Sequence, residues 1–65
     1  MHHLNFEVVY SIADTRYSDA DMCVKAIRNV SGISEAREIA QRFMKTKMIE
    51  KPSQVWSIYE IVNVF

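Results

Sequence analysis

The stretch from Ser34 to Met48 constrains this chain most, because it predicts an amphipathic helix that must lie on another apolar surface. Ser34 is placed to cap the first turn, and acidic residues come early and basic residues late, as the helix dipole favours. The apolar residues recur at three- and four-residue spacing and would form one stripe: Ala36, Ile39, Ala40, Phe43, Met44 and Met48. The rest of the chain must therefore supply the surface that this stripe covers.

The chain length sets a second limit. With 65 residues, the chain is expected to form one domain, residues 1–65, with a small core. Apolar residues make up 49% of it, so it should fold. Domains this short usually need a disulfide, a metal or a partner chain for stability. One cysteine cannot form an internal disulfide, and no Cys/His cluster has zinc-site spacing, so a partner surface is the expected supplement.

Charge and hydropathy exclude several classes of protein. The 8 basic and 8 acidic side chains balance, so no strong overall field would draw the chain to nucleic acid or to an anionic membrane. No apolar run has the length of a membrane span, and Met1–His3 lacks the layout of a signal peptide. The single cysteine fits a reducing compartment. We therefore expect a cytoplasmic protein that does not enter membranes.

The beginning and the end of the chain have strand patterns. Apolar and polar residues alternate from Leu4 to Ile12, which predicts a strand with one buried face. A polar connection, Ala13 to Asp19, follows it. Pro52 ends the helical region, and Gln54–Phe65 is predicted to be the last strand.

Residues 20–30 fit either a helix or a strand. As a helix they would carry an apolar stripe, and Ser18 and Asp21 would form a capping box. A helix here would leave only two strands, however, and two strands seldom hold together alone or cover a helix that carries Phe43. The sequence therefore favours a strand, and a β-α-α-β fold with residues 19–30 helical is the alternative.

The predicted fold class is α+β, with the order strand, strand, helix, strand. The three strands would form a single-layer antiparallel sheet with the helix on one face. Ordinary right-handed connections place the last strand beside the first, which gives the spatial order 2-1-3.

The last strand is apolar on both faces, which is the most informative anomaly in the chain. Strict alternation puts Val55, Tyr59, Ile61 and Phe65 in one row, and Trp56, Ile58, Val62 and Val64 in the other. One helix covers only one face, so one row should be left exposed. We predict a protein-binding surface made of Val9, Trp56, Ile58, Glu60, Val62 and Val64, with the first row as the alternative exposed set.

No residue pattern points to an enzyme, a cofactor or a metal centre. His3 and the N-terminal amine match a Cu(II) site, but a frayed terminus that includes His2 explains these residues better. Cys23 lacks the partners of a nucleophile and is interpreted as a small buried apolar residue. Glu60, between Ile58 and Ile61, fits either a charge that blocks edge pairing or a hydrogen-bonding group at an interface.

Basic residues on and after the helix provide an alternative function. With Tyr17 or Trp56 to stack bases, they would bind nucleic acid; the residues are Arg37, Arg42, Lys45, Lys47 and Lys51. The balanced charge favours a solvated helix face instead. No phosphate-binding, dinucleotide-binding or RNP-type motif accompanies them.

The order of elements resembles that of small accessory proteins of tailed bacteriophages. The resemblance is carried by Phe6–Tyr10, Ser34–Ala40 and Ile58–Ile61. Some of those proteins bind and disable a host enzyme or defence complex, so the resemblance implies an inhibitor that occludes a host protein in the host cytoplasm. A symmetric homodimer that stacks its sheets or joins their edges is the second hypothesis, and both hypotheses can hold together.

Overall fold

The structure is a computed structural model and describes residues 3–14 and 19–64. Its elements are β1 (Leu4–Asp14), β2 (Ala20–Val30), α1 (Ile33–Glu50) and β3 (Gln54–Val64). The strands form an antiparallel sheet in the order β2-β1-β3. This confirms the predicted α+β fold and the 2-1-3 order. The middle of the predicted connection (residues 15–18, with Tyr17 and Ser18), His2 and Phe65 lie outside the described residues.

Residues 20–30 form a strand, as the global argument predicted. β2 pairs with β1 from Ala20 opposite Ala13 to Ile27 opposite Phe6 without a break. Ile27 and Val30 are buried in the core. The local pattern also fits a helix, but pairing with β1 satisfies the backbone of both strands and buries these two side chains.

The core lies between α1 and one face of the sheet. Ala36 and Ala40, in the first half of the predicted helical stripe, are buried, and their small side chains let the helix approach the sheet closely. The buried cluster consists of Phe6, Val8, Ile27, Val30, Ala36 and Ala40. Met44 is also buried, whereas Met48 at the end of the stripe is exposed.

The start of α1 differs from the prediction. Ser34 was expected to be the N-cap, but the helix begins at Ile33, Gly32 occupies the cap position, and no side chain caps the helix. Instead the backbone N–H of Ser31 and its hydroxyl donate to Glu35 Oε2, at 2.9 and 2.6 Å. Glu35 lies in the first turn and folds back over the residue before the cap, much as the acidic member of a capping box does.

Removing the hydroxyl of Ser31 is expected to raise the pKa of Glu35. The side-chain and then the backbone hydrogen bond from Ser31 hold the pKa of Glu35 below its usual value. A carboxyl whose pKa is lowered on folding stabilises the fold above its unfolded pKa of about 4.3, and this stabilisation is lost as the pH falls through the folded pKa. In Ser31→Ala the folded pKa should move back towards that value, which a carboxyl-carbon NMR titration measures.

Ser34→Ala is the matched control for that titration. Ser34 is exposed in the first turn and makes no hydrogen bond to Glu35, so the pKa of Glu35 should stay where it is in the unmodified chain. A rise in Ser34→Ala and none in Ser31→Ala would contradict the observed capping arrangement.

β3 contains a β-bulge that decides which of its side chains face the helix. Ile58 is opposite Tyr10, and Glu60 is opposite Val9, so Tyr59 is the extra residue. Trp56 and Ile58 therefore share the helix-covered face with Ile61. The strict alternation predicted along Gln54–Phe65 is wrong from Glu60 onwards.

Candidate protein-binding face

The side of the sheet opposite α1 has no covering element among the described residues, and we call it the open face. Phe6 and Val8 of the central strand are buried under α1. Successive side chains of a strand point to opposite faces, so Glu7 and Val9 lie on the open face. The large apolar side chains of this face are Val9, Met22, Val24, Val55, Tyr59, Val62 and Val64. Val9 and Val64 are half-buried and the others are exposed.

The strand register assembles these side chains into one patch. Val9 on the central strand is opposite Val24 on one side and Glu60 on the other. Val62 is opposite Glu7, one pair further along. Directly opposed residues in antiparallel strands lie on the same face within contact distance. The apolar patch therefore crosses all three strands.

The bulge adds an aromatic ring to this patch. Tyr59 follows Ile58, which faces the helix, so Tyr59 lies on the open face. Glu60 also lies there, because it is opposite Val9. Tyr59 is 67% exposed, the largest aromatic surface on that face. A tyrosine supplies a large apolar area with a polar tip, a combination that is common where proteins bind each other.

The structure divides the predicted binding residues between the two faces. Val9, Glu60, Val62 and Val64 lie on the open face, as predicted for a binding surface. Trp56 and Ile58 do not, because they pack beneath α1; Trp56 is only 9% exposed. These two positions correct the predicted surface, and whether the remaining residues bind a protein stays a prediction.

Four further members of the patch were missed or, like Val55, assigned to the alternative row. Met22 and Val24 alternate with half-buried residues along β2, and this alternation was the available signal. Tyr59 belonged to the alternative exposed row. No residue pattern marked the bulge, because it inserts a residue without a glycine or proline.

Trp56 belongs to an aromatic cluster that fixes α1 to the sheet. Its ring stacks on Tyr10 at 5.6 Å between centroids and meets Phe43 edge to face at 5.9 Å. Its indole N–H donates to Gln54 Oε1 at 3.2 Å. Lys25 Nζ lies 4.6 Å from the centroid of the Phe43 ring. Trp56 is thus a structural residue whose polar atom is satisfied within the chain.

Cys23 lies opposite Tyr10 on the helix side of β2. Burial raises the pKa of the Tyr10 hydroxyl, and the neighbouring Cys23 thiol adds to the rise. Cys23 is half-buried and forms no disulfide. This agrees in part with the expected small buried apolar residue, and the raised pKa of Tyr10 keeps its hydroxyl protonated rather than reactive.

Two carboxylates lie among the side chains of the apolar patch. Glu7 and Glu60 are exposed on the open face, and neither forms an ion pair within residues 3–14 and 19–64. Arg28 is exposed on the same face at the far end of β2. The patch thus contains acidic groups that a partner with basic groups would complement.

The five basic residues of the alternative surface do not all point the same way. Arg42 pairs with Glu38 at 3.3 Å on the outer side of the helix. Lys47 pairs with Glu50 at 3.7 Å and extends over the rings of the aromatic cluster, 6.0 Å from the centroid of the indole ring of Trp56. The remaining three are exposed: Arg37, Lys45 and Lys51. Nucleic-acid binding by this set stays a prediction.

Within the described ranges, no three His, Cys, Asp or Glu side chains are arranged to hold a metal ion. His3 is exposed. No helix in those ranges is both long and apolar enough to cross a membrane.

Comparison of the chain with protein families, with curated proteins and with solved structures gives no match in any of the three. The function must therefore be argued from the residues and their geometry.

Proposed function

We propose that this chain is a non-enzymatic protein-binding module that binds a partner protein through the open face. The observation that supports this proposal is the apolar patch that crosses the three strands with no cover. Met22, Val24 and Tyr59 are each more than half exposed in this patch. Contiguous apolar side chains on a small domain are typical of interaction surfaces.

The total exposed area supports the same proposal. The chain exposes 4889 Å². Size scaling gives roughly 4300 Å² for a folded monomer of this mass. An elongated single-layer sheet with one helix leaves more surface in water than a typical monomer does. Binding on the open face would bury much of this excess and supply stability that a small core lacks.

The chemistry of the patch defines the kind of partner. Val9, Val24 and Val62 would pack against apolar side chains of the partner. Tyr59 would contribute an aromatic ring, a group that often provides a large part of the binding energy. Glu7 and Glu60, which lie among these apolar side chains, call for lysine or arginine on the partner. The partner is therefore a protein with an apolar surface that also carries basic residues.

We extend the proposal to the partner's origin. The resemblance to accessory proteins of tailed bacteriophages supports a host protein as the target and inhibition by occlusion as the activity. A flat face suits occlusion, because it covers a surface without enclosing a substrate.

Tyr59→Ala is expected to weaken partner binding at least about tenfold, as truncating an aromatic anchor typically does. The partner is first captured from a lysate of the native or host cell and identified by mass spectrometry. The dissociation constants of purified partner and variants are then measured by calorimetry. The chain should keep its fold, because the Tyr59 side chain is mostly in solvent.

Ile49→Ala is the matched control, because Ile49 is 72% exposed but lies on α1. It should leave the dissociation constant within about twofold of the unmodified chain, as truncations outside an interface do. If Ile49→Ala weakens binding and Tyr59→Ala does not, the partner binds elsewhere and the open face loses its proposed role.

A further inference from the structure

We propose that two copies of this chain pair antiparallel along their β2 edges, so that the two sheets become one continuous sheet. The occupant of the β2 edge is thus a second copy of the chain. This proposal does not rest on the function of the open face: it concerns the backbone edge of β2, whose Met22 and Val24 also belong to that face.

The two edges of the sheet differ in their ability to accept another strand. β3 is interrupted by the bulge at Tyr59, with the charge of Glu60 beside it, and both features discourage edge pairing. β2 is regular from Ala20 to Ile27, and its irregularity, at Asn29 with φ 61°, comes only after that segment. A regular unpaired edge presents N–H and C=O groups that template a further strand.

Symmetry restricts how two β2 edges can meet. An antiparallel edge pair has a two-fold axis perpendicular to the sheet, so opposed residues lie on the same face and both helices lie on the same side. α1 packs mainly against β3, the strand farthest from the β2 edge. The two helices therefore stand apart and leave the β2 edges free to approach.

One register matches both the charges and the apolar side chains. With the axis at Cys23, Asp21 of each copy faces Lys25 of the other on the helix side. On the open face, Met22 of each copy faces Val24 of the other. Opposite charges and apolar pairs directly across strands are both stabilising.

The registers shifted towards the end of β2 lack this match, and an axis at Met22 would leave Lys25 opposite Asp19, which precedes the strand. With the axis at Val24, Asp21 would face Ile27, which is buried in its own core. With the axis at Lys25, two lysines would face each other, which is unfavourable. Centring on Cys23 also places the axis at the middle of the regular segment, so nearly all of its free backbone groups find partners.

The dimer changes the shape of the open face. Met22 and Val24 lie at the β2 margin of the apolar patch, so pairing through β2 joins the patches of the two copies into one surface. The same pairing covers the one regular edge that would otherwise invite aggregation.

Exchange of the two charges tests the register. Sedimentation equilibrium in reducing buffer gives the dimer dissociation constant for each variant. Asp21→Lys and Lys25→Asp should each weaken the dimer about tenfold, because each replaces two attractive cross-strand pairs by two repulsive ones. The double variant restores opposite charges and should return close to the unmodified value. Tyr59→Ala, on the far strand, should leave the dimer unchanged.

Disulfide trapping gives an independent readout. Cross-strand partners have Cα atoms about 4.5–5.5 Å apart, within the range for a disulfide. Diamide should therefore oxidise the two Cys23 thiols of a dimer to one disulfide. In a Cys23→Ser background, the two residues 22 of Met22→Cys are diagonal neighbours with Cα atoms about 7–8 Å apart. They should cross-link far more slowly although residue 22 is more exposed.

A monomer at every concentration, with no Cys23 cross-link, would overturn the proposal. The register would also be wrong if the double charge exchange did not restore the dimer dissociation constant. The same holds if Met22→Cys cross-linked as fast as Cys23. A dimer lost in Tyr59→Ala would assign self-association to the open face instead of the β2 edge.

Discussion

Replacing Trp56 with alanine is expected to cost about 3–5 kcal/mol of unfolding free energy, a typical value for truncating a buried aromatic. The side chain is 9% exposed, stacks on Tyr10 and meets Phe43 edge to face. Its loss would leave a cavity where α1 joins the sheet. Because a domain of this size has only about 3–5 kcal/mol in total, most of the population should be unfolded. Urea titration followed by far-ultraviolet circular dichroism measures the change.

Tyr59→Ala is the control on the same strand. Its ring is mostly in solvent, so the unfolding free energy should change by less than about 1 kcal/mol. The two variants distinguish an aromatic side chain that stabilises the fold from one that is free to contact a partner. Equal stability of Trp56→Ala and the unmodified chain would return Trp56 to the list of candidate binding residues and contradict its position beneath α1.

Val8→Asn is expected to cost about 2.5–6 kcal/mol, for a different reason. Val8 is 1% exposed on the central strand beneath α1. The substitution removes about 1.5–3 kcal/mol of apolar burial. It also buries an amide without partners, at a further cost of about 1–3 kcal/mol. The variant should be largely unfolded by the same urea titration and should regain structure in a stabilising osmolyte.

Val9→Asn supplies a matched comparison at the adjacent residue. Val9 belongs to the same strand but lies on the open face, where the new amide can reach water. Its cost should be limited to the lower strand propensity of asparagine, about 1 kcal/mol or less. If Val9→Asn were the more damaging of the two, the open face would be covered in the free chain, and the case for a protein partner there would fail.

Local patterns in the residues were enough for much of the fold. The alternation from Leu4 to Ile12 and the three- and four-residue spacing after Ser34 each identify an element whose period matches one buried face. Pro52 marks the end of the helical region because it cannot continue the helix hydrogen bonding. These signals depend on neighbouring residues alone, so they could be read without knowledge of the fold.

The candidate site was only partly predictable, because it depends on which face of β3 meets the helix. The need for an uncovered apolar face follows from composition and from the presence of one helix. The identity of the residues on that face does not follow from them, because the extra residue at Tyr59 shifts the alternation. As a result Trp56 and Ile58 are covered, while Tyr59 and Val62 are exposed together.

The first turn of α1 shows the same division at smaller scale. Ser34 and Ser31 are equally suitable capping residues by type. Ser31, rather than the adjacent Ser34, donates to Glu35, because the chain leaves β2 at a position set by the pairing of β2 with β1.

Periodicity and turn chemistry were thus sufficient for the helix, for the first strand and for the expectation of an exposed apolar surface. Contacts between distant segments assigned residues 20–30 to a strand, placed the bulge in β3 and chose the exposed side of the sheet. The physical reason is that side-chain period and capping act over a few neighbouring residues. Strand pairing and burial, in contrast, are settled by groups that meet only when the whole chain has folded.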